Sequence, residues 1–171
     1  IDSIPTNWDE VIDACGKLEA AGSGTLYFGW NITGNWFHQA LMHTQNVKIV
    51  EDGKVNLGGD AGLATLQQMH DIMSGCNMPN YSIADGQAAF NAGTIGMMFW
   101  STSSLGSVNA AKADFVLKTA PFPGMAGVNN GTPARLPAGG NAAMLTSTSD
   151  DPARVDAAWT FLKFITSGIG A

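Results

Sequence analysis

Apolar residues recur at helical spacing near the start of the chain, from Trp8 to Leu18. The preceding Thr6, with Asp9 at N3, is the expected N-cap of this helix, and Gly22 is its expected end. We therefore predict a helix whose buried stripe is Trp8, Val11, Ile12, Cys15 and Leu18.

The same spacing predicts three more helices. One covers residues 36–44 and follows a turn-rich loop at residues 31–35. Another covers residues 58–75, and one side of it carries Leu63, Leu66, Met69, His70 and Met73. The last begins with Asp151 as N-cap and Pro152 at N1, and its predicted buried stripe is Val155, Ala158, Trp159, Leu162 and Ile165.

Short apolar runs between these helices predict β-strands. They cover residues 25–30, 94–100, 115–120 and 142–145, and the run at 94–100 is almost continuously apolar, as in a strand covered on both faces. Residues 48–57, centred on Asp52-Gly53, have the pattern of a hairpin. Because strands and helices alternate, the predicted fold class is α/β.

The central part of the chain combines several of these signals. Ser82 with Asp85 three residues later predicts a helix start, and Gly93 predicts its end. The strand at residues 94–100 then runs into four hydroxyl residues at 101–104, which open another helix. Ligands of open α/β sheets bind at the carboxyl ends of strands, where N–H and hydroxyl groups can hold an anion or a sugar oxygen.

Composition narrows the classes of function. The 171 residues are 45% hydrophobic and 13% charged, which is typical of a globular domain. The net charge of −6 disfavours nucleic acid or an anionic membrane as partner. No apolar run approaches the ~20 residues of a membrane-spanning helix. No P-loop, G-x-S-x-G motif or carboxylate pair with clear roles is visible, so we expect neither catalysis nor a cofactor.

Histidines and cysteines add little further chemistry. His38, His43 and His70 lack the spacing of a metal site, so no bound metal is expected. Cys15 and Cys76 have no C-x-x-C arrangement. They fit either a disulfide in an oxidising compartment or two buried thiols.

Four pieces of the chain, in order, carry a resemblance to a known family. They are Pro5-Thr6-Asn7-Trp8-Asp9-Glu10, then Y-S-I-A to G-M-M at residues 81–98, then Ala120-Pro121-Phe122-Pro123-Gly124, and finally Gly139-Gly140 with the A-A-W-T-F-L-K-F helix at residues 157–164. In these pieces the chain resembles the extracellular solute-binding proteins of bacterial ABC importers. The nearest group is the carbohydrate-binding group, family 1, which includes maltose- and glycerol-3-phosphate-binding proteins.

The resemblance implies a periplasmic-binding-protein type II fold with two α/β lobes, of which this chain is an internal fragment. Residues 1–119 would form most of the second lobe, residues 120–140 a hinge-crossing connection, and residues 141–171 a strand and helix of the first lobe. The implied partners are a sugar or glycerol-phosphate-like ligand and an ABC permease. The implied location of the protein is periplasmic or extracellular, with or without a lipid anchor. The exposed edge of such a fragment also favours self-association.

The resemblance also points to ligand-binding residues outside the central stretch. The family's sugar-stacking aromatic maps onto Trp36, with Trp30 as a second candidate, since an indole can stack on the apolar face of a sugar. Gly139 and Gly140 would let a ligand approach a backbone N–H closely, with Asn141 as a secondary candidate. The structural alternatives are core or lobe-surface aromatics and a turn before a strand.

Trp100, Ser101 and Ser104 are the candidates at the end of the central strand. Similar glycerol-phosphate binders use a serine in this turn, which maps onto Ser101 or Ser104. The structural alternative is ordinary helix capping by serine. Maltose binders place an aromatic slightly later, where this chain has Ser104-Leu105, and this departure counts against a maltodextrin ligand.

Two other functions are compatible with the sequence. A hydrolase-like enzyme on an α/β sheet would use Ser101 or Ser104 and would need a histidine base within reach, which nothing in the sequence places there. A ligand-sensing or interaction module would show an exposed apolar patch rather than a polar cleft. Non-catalytic solute binding is the function that we expect.

Overall fold

The computed structural model describes residues 3–128, 134–137, 139, 143–146 and 149–168, with residues 30–33 described for the backbone alone. The chain divides into two compact units, Ile1–Pro137 and Ala138–Ala171. Within the described residues, all strands lie in the first unit, and the second unit contributes one helix.

The first unit alternates helices and strands. Its elements are α1 (Trp8–Ala20), β1 (Gly24–Phe28), α2 (Trp30–Thr44), β2 (Val50–Glu51), β3 (Lys54–Val55), α3 (Gly59–Gly75), α4 (Ile83–Asn91), β4 (Ile95–Phe99), a 3-10 turn (Thr102–Ser104) and α5 (Leu105–Ala111). The helix of the second unit is α6 (Pro152–Thr166).

Strands β1 and β4 form a two-stranded parallel sheet in which Phe28 is paired with Phe99. Both strands therefore end at the same edge. Gly29 and Trp100 are the first residues beyond the strands, and we call this end of the sheet the carboxyl edge. α2 begins directly after Gly29, and the 3-10 turn and α5 follow Trp100, so the starts of two helical segments lie at this edge.

The core of the first unit is built around Trp8. Its ring is fully buried, and its centroid lies 5.0 Å from that of Phe37, 4.9 Å from Phe99 and 5.2 Å from Phe122. These rings come from α2, β4 and the segment after α5, so one tryptophan joins four parts of the chain. Aliphatic and sulfur-containing side chains fill the rest of the core: Val11, Cys15, Leu26, Leu41, Ile72, Cys76 and Met125.

A disulfide between Cys15 and Cys76 joins α1 to the end of α3. This is one of the two states that the sequence left open. Both cysteines are buried. The Thr25 hydroxyl on β1 donates a hydrogen bond to the carbonyl oxygen of Cys76, so the crosslinked pair of helices is also tied to the sheet.

The proline-rich stretch that follows α5 begins as part of the first unit. The backbone N–H of Trp8 donates to the Gly124 carbonyl at 3.0 Å, and the backbone N–H of Gly124 donates to the Thr6 carbonyl at 2.9 Å. Phe122 packs against the core beside these bonds. The assignment of residues 120–140 to a hinge, and of the flanking segments to two lobes, stays a prediction.

Several predicted elements are confirmed. β2 and β3 form the hairpin, and α3 has the predicted extent. The Ser82 hydroxyl accepts from the Asp85 N–H at 3.2 Å, and Gly93 adopts a φ of 73° after α4. The Asp151 carboxylate accepts from the Ala153 N–H at 3.0 Å, at the start of α6.

Two predicted boundaries are wrong. α2 begins at Trp30, so residues 31–35 are helical and do not form a loop. Their local turn preference is overridden where the helix continues from the end of β1. α1 is capped by Asn7, whose side-chain oxygen accepts from the Glu10 N–H at 3.0 Å, and not by Thr6.

Two predicted strands are not formed by the described residues. Residues 115–120 and 143–146 are irregular. A strand needs a neighbouring strand, and the described chain provides none beside these segments. The first segment is anchored instead by Phe115, whose ring lies 5.8 Å from that of Phe90 and whose carbonyl accepts from Lys112 Nζ at 2.7 Å.

The apolar side of α3 is only partly buried. Leu63 and Leu66 are 68% and 57% exposed, whereas Met69 packs against the core and Ile72 is buried. The buried stripe predicted for the last helix is wrong. On α6, Trp159 is 47% exposed and none of the helix residues is buried. The described part of the second unit is too small to form a core of its own.

Candidate ligand-binding site

Gly29 and Trp100 are neighbours at the carboxyl edge. A Cβ atom on Gly29 would lie 3.0 Å from Cζ3 of Trp100, so the indole is packed directly over the glycine. Any larger residue at position 29 would push against the ring. Gly29 is also the N-cap of α2, so a close backbone approach coincides with the start of a 15-residue helix.

Tyr27 lies on β1 with its ring against Gly86 of α4, where an added Cβ would collide with the ring. Its hydroxyl is buried and has no hydrogen-bond partner among the described residues. The hydroxyl oxygen lies 3.5 Å from the point where a Cβ of Gly29 would stand. Burial, with a smaller effect of the Asp85 charge, raises the pKa of Tyr27 above its ordinary value, so the hydroxyl stays protonated at neutral pH.

The serine turn, which we define as residues 101–104 directly after Trp100, is held by hydrogen bonds between its own residues. The Ser101 hydroxyl oxygen accepts from the Ser103 N–H at 3.3 Å and lies 2.9 Å from the Ser103 hydroxyl. The Ser104 N–H donates to the Ser101 carbonyl at 3.1 Å. Ser101 therefore acts as a cap, and because it is also exposed, its hydroxyl is accessible from solvent.

Trp36 lies on α2, almost two turns from its start, and is half-buried. Its ring packs edge-on against Phe122, with centroids 5.6 Å apart and planes at 85°. The Phe122 ring also lies 5.5 Å from that of Phe99, which immediately precedes Trp100. A series of ring contacts thus connects Trp36 with the strand that leads to the carboxyl edge.

The other predicted site residues lie elsewhere or outside the described residues. Trp30 begins α2 at the carboxyl edge. Gly139 is an exposed residue of the second unit, and Gly140 and Asn141 lie outside the described residues. The first unit therefore carries four of the six predicted ligand-binding residues: Trp36, Trp100, Ser101 and Ser104.

A cavity of about 460 Å³ opens beside α5, lined by Leu105, Gly106, Asn109, Leu117 and Thr119. Leu105 directly follows Ser104, so the cavity adjoins the serine turn. It is largely open to solvent, and its lining combines apolar, amide and hydroxyl groups.

The described residues contain no group of three or more His, Cys, Asp or Glu side chains that could hold a metal ion. His70 Nδ1 lies 3.4 Å from Asp71 Oδ1 on the exposed side of α3, so the nearest polar partner of this imidazole is a carboxylate of the same helix. Among the helices of the described chain, none combines the length and the hydropathy needed to cross a bilayer.

Sequence analysis did not point to Tyr27 or Gly29. In the sequence, Tyr27 is one apolar-looking position of a strand, and only the structure shows where its hydroxyl lies. One signal could have drawn attention to Gly29. A glycine placed directly between a buried strand and a helix often marks a close approach to the backbone.

The model of the bacterial extracellular solute-binding protein family matches residues 1–168 of the chain. The chain belongs to this family. The family and the α/β solute-binding fold expected from the sequence are thereby confirmed. An extracellular family also agrees with the disulfide between Cys15 and Cys76, because disulfides persist in oxidising compartments.

One solved structure similar to this solute-binding protein is a family 1 extracellular solute-binding protein from Bifidobacterium longum subsp. infantis. The TM-score is 0.69 at 19% sequence identity, and the likeness covers 99% of this chain and 46% of the solved chain. At this identity the likeness concerns the fold, and the present chain spans about half the length of that protein. No curated protein matches the chain.

Proposed function

We propose that this protein binds a small polar solute, either a sugar or a glycerol-phosphate-like molecule, and delivers it to an ABC permease. Two lobes would close around the ligand by a hinge motion, and the permease would recognise the closed form. The first unit would supply one wall of the site. Binding would involve no chemical step on the ligand.

The observation that carries this proposal is the carboxyl edge of the parallel sheet. There an indole, an exposed hydroxyl and the start of a long helix come together at Trp100, Ser101 and Gly29. Parallel sheets bind small ligands at this end, because helix starts direct N–H groups there. The family match supports a solute as that ligand.

Trp36 would supply the apolar contact. The T-shaped packing against Phe122 holds the indole in place, and the half-buried state leaves part of its surface for the apolar side of a sugar. Hydroxyl groups of the ligand would be bound by Ser101 and Ser104 of the serine turn.

The opposite wall would come from the rest of a longer chain, and Gly139 and Gly140 stay candidates for a backbone contact with the ligand. The chain spans 46% of the solved relative, and this supports a site divided between two parts of one protein. On this proposal the 171 residues alone bind weakly, because only part of the contact surface is present.

Calorimetric titration of the full-length protein with two probes, a set of mono- and disaccharides and sn-glycerol 3-phosphate, tests the proposal. We expect wild type to bind at least one of the two. Trp36→Ala should weaken binding roughly tenfold through loss of aromatic contact, and Trp36→Phe should weaken it less because a ring is kept.

Leu66→Ala, which truncates an exposed apolar side chain on α3, is the control and should bind as wild type does. Binding of neither probe by wild type would contradict the assignment to this ligand class. Unchanged binding by Trp36→Ala, with an unchanged circular dichroism spectrum, would remove Trp36 from the site.

A further inference from the structure

The hydroxyl of Tyr27 is a buried polar group for which the described residues offer no partner. The residue is 1% exposed, so bulk solvent does not reach the hydroxyl to take the place of a partner. Buried hydroxyl groups in folded proteins are almost always hydrogen-bonded, and an exception calls for an explanation, of which a partner supplied by a ligand is one.

The position of this hydroxyl is fixed by the packing of the ring. An added Cβ on Gly86 would collide with the Tyr27 ring, so α4 lies in direct contact with it on one side. The hydroxyl reaches the Cα side of Gly29, 3.5 Å from where a Cβ would stand. The group is therefore aimed at the start of α2, at the carboxyl edge.

The indole of Trp100 covers the same point. Its Cζ3 and Cη2 atoms lie 3.0 Å and 3.7 Å from the position of a Gly29 Cβ. Unlike Tyr27, Trp100 is only partly buried and begins the serine turn rather than lying within a strand. A partly exposed side chain can change rotamer rapidly, whereas the tyrosine ring is held between a strand and a helix.

We propose that Tyr27 is a ligand-contacting residue, whose hydroxyl donates a hydrogen bond to an oxygen of the bound solute once the Trp100 ring has moved away from Gly29. This inference rests on the proposed solute-binding function and adds a residue to its site. Trp100 is then the movable cover of the site as well as part of its wall.

The chemistry favours an oxygen acceptor. A protonated phenol is a donor, and the start of α2 adds partial positive charge at the same place. A sugar hydroxyl and a phosphate oxygen share this acceptor chemistry, and they differ in charge.

The test compares Tyr27→Phe with Tyr81→Phe in the full-length protein. These are the two tyrosines of the sequence, and Tyr81 is exposed, so the second variant is a matched control for loss of one hydroxyl. Titrations use the same two probes, the set of mono- and disaccharides and sn-glycerol 3-phosphate, and the probe that binds decides between a neutral and a phosphorylated ligand. Thermal unfolding without ligand is measured on the same samples.

Tyr27→Phe should weaken binding roughly three- to tenfold, the effect of one lost hydrogen bond. Its unfolding temperature without ligand should be equal to that of wild type or higher, because the variant no longer buries an unpartnered hydroxyl. Loss of affinity without loss of stability is the result that a merely structural tyrosine would not give. Tyr81→Phe should change neither quantity.

Gly29→Ala is the second variant. Its methyl group would press on Trp100 and occupy the space beside the Tyr27 hydroxyl, so binding should also weaken. Gly16→Ala is its control, since a Cβ there would meet nothing within 4 Å. Full affinity in either Tyr27→Phe or Gly29→Ala would overturn the inference.

The two proposals fail in different ways. If wild type binds neither probe, the proposed function is overturned and this inference with it. If wild type binds and Tyr27→Phe binds equally well, the proposed function stands and the role of Tyr27 is overturned.

Discussion

The start of α1 shows how a few side chains fix a helix end. Asn7 accepts from the Glu10 N–H at 3.0 Å, and the Glu10 carboxylate accepts from the backbone N–H of Thr6 at 2.7 Å and from its hydroxyl at 3.0 Å. The hydrogen bond from the backbone N–H of Thr6 is the main reason that the pKa of Glu10 is lowered, and the hydrogen bond from the Thr6 hydroxyl lowers this pKa further. The arrangement is a variant of the capping box, in which the Glu10 carboxylate reaches the residue before the N-cap instead of the N-cap itself.

Replacing Glu10 with glutamine should remove the pH-dependent contribution that the Glu10 carboxylate makes to the stability of the protein. The folded pKa of Glu10 lies below its ordinary value of 4.5, so its bonds stabilise the native state above that value. Their contribution is lost as the pH falls through the folded pKa. We expect Glu10→Gln to unfold at a lower temperature than wild type near neutral pH, with the difference vanishing in acid.

Thermal unfolding of both proteins across an acidic pH series measures this effect. Asp13→Asn, which removes one exposed charge from the same helix, is the control and should not reproduce it. A constant difference between Glu10→Gln and wild type at every pH would show that the lost bonds do not depend on charge.

Single residues of this kind were largely predictable from the sequence. Ser82 with Asp85 and Asp151 were expected as caps, and both are observed. At α1 the predicted cap was one residue early, since Thr6 and Asn7 are both good capping residues and the sequence alone does not choose between them.

Helix α3 shows why an apolar pattern does not fix the orientation of an element. The helix turns small and polar positions toward α2, where Gln45 Nε2 donates to the Thr65 hydroxyl at 2.8 Å and to the Ala61 carbonyl at 3.1 Å. Close approach to α1 is similarly permitted by Gly75, whose Cβ would meet Ile12. Leucines on the opposite side remain exposed.

Alanine substitutions on the two faces of α3 should therefore differ strongly. Ile72 is 1% exposed, and Ile72→Ala should lower the free energy of unfolding by about 2–5 kcal/mol. Leu66 is 57% exposed, and Leu66→Ala should stay within about 0.5 kcal/mol of wild type. Urea unfolding of the two variants is the measurement. A cost for Leu66→Ala as large as that for Ile72→Ala would show that this face is covered in solution.

At the same scale, elements with strong local signals were predicted better than those that depend on partners. The hairpin β2–β3 has Asp52-Gly53 at its turn. Both residues adopt a positive φ, as the two central residues of a type I′ turn must. Residues 115–120 also contain apolar positions, but a strand forms only beside another strand. The sequence of the segment itself does not show whether such a neighbour exists.

For the molecule as a whole, the main covalent constraint is the disulfide between Cys15 and Cys76, 61 residues apart in the sequence. A loop of this size restricts the unfolded chain, and its removal should lower the free energy of unfolding by about 4 kcal/mol. Denaturant unfolding with and without reductant tests this expectation.

The double variant Cys15→Ala with Cys76→Ala should be destabilised in both conditions and should not respond to reductant. Intact mass after thiol alkylation of the unfolded wild type would contradict the pairing if two labelled cysteines were found without prior reduction.

The α/β class and the carboxyl edge could be predicted because each strand and its following turn have local signatures. The composition of the candidate site could be predicted only in part. Trp100 and Ser101 come directly after an obvious strand, whereas Gly29 and the Tyr27 hydroxyl meet them only through the pairing of β1 with β4. Contacts between segments so distant in sequence leave no signal in either segment.

That pairing also sets the order in which the protein can fold. The partner of β1 is β4, and α2, the hairpin, α3 and α4 all lie between them. During synthesis the sheet cannot form until residues 95–99 have left the ribosome, and contacts between distant segments make folding slow. A chain that reaches its native core late remains unfolded for longer, which suits a protein of an extracellular family, because such a protein crosses a membrane before it works.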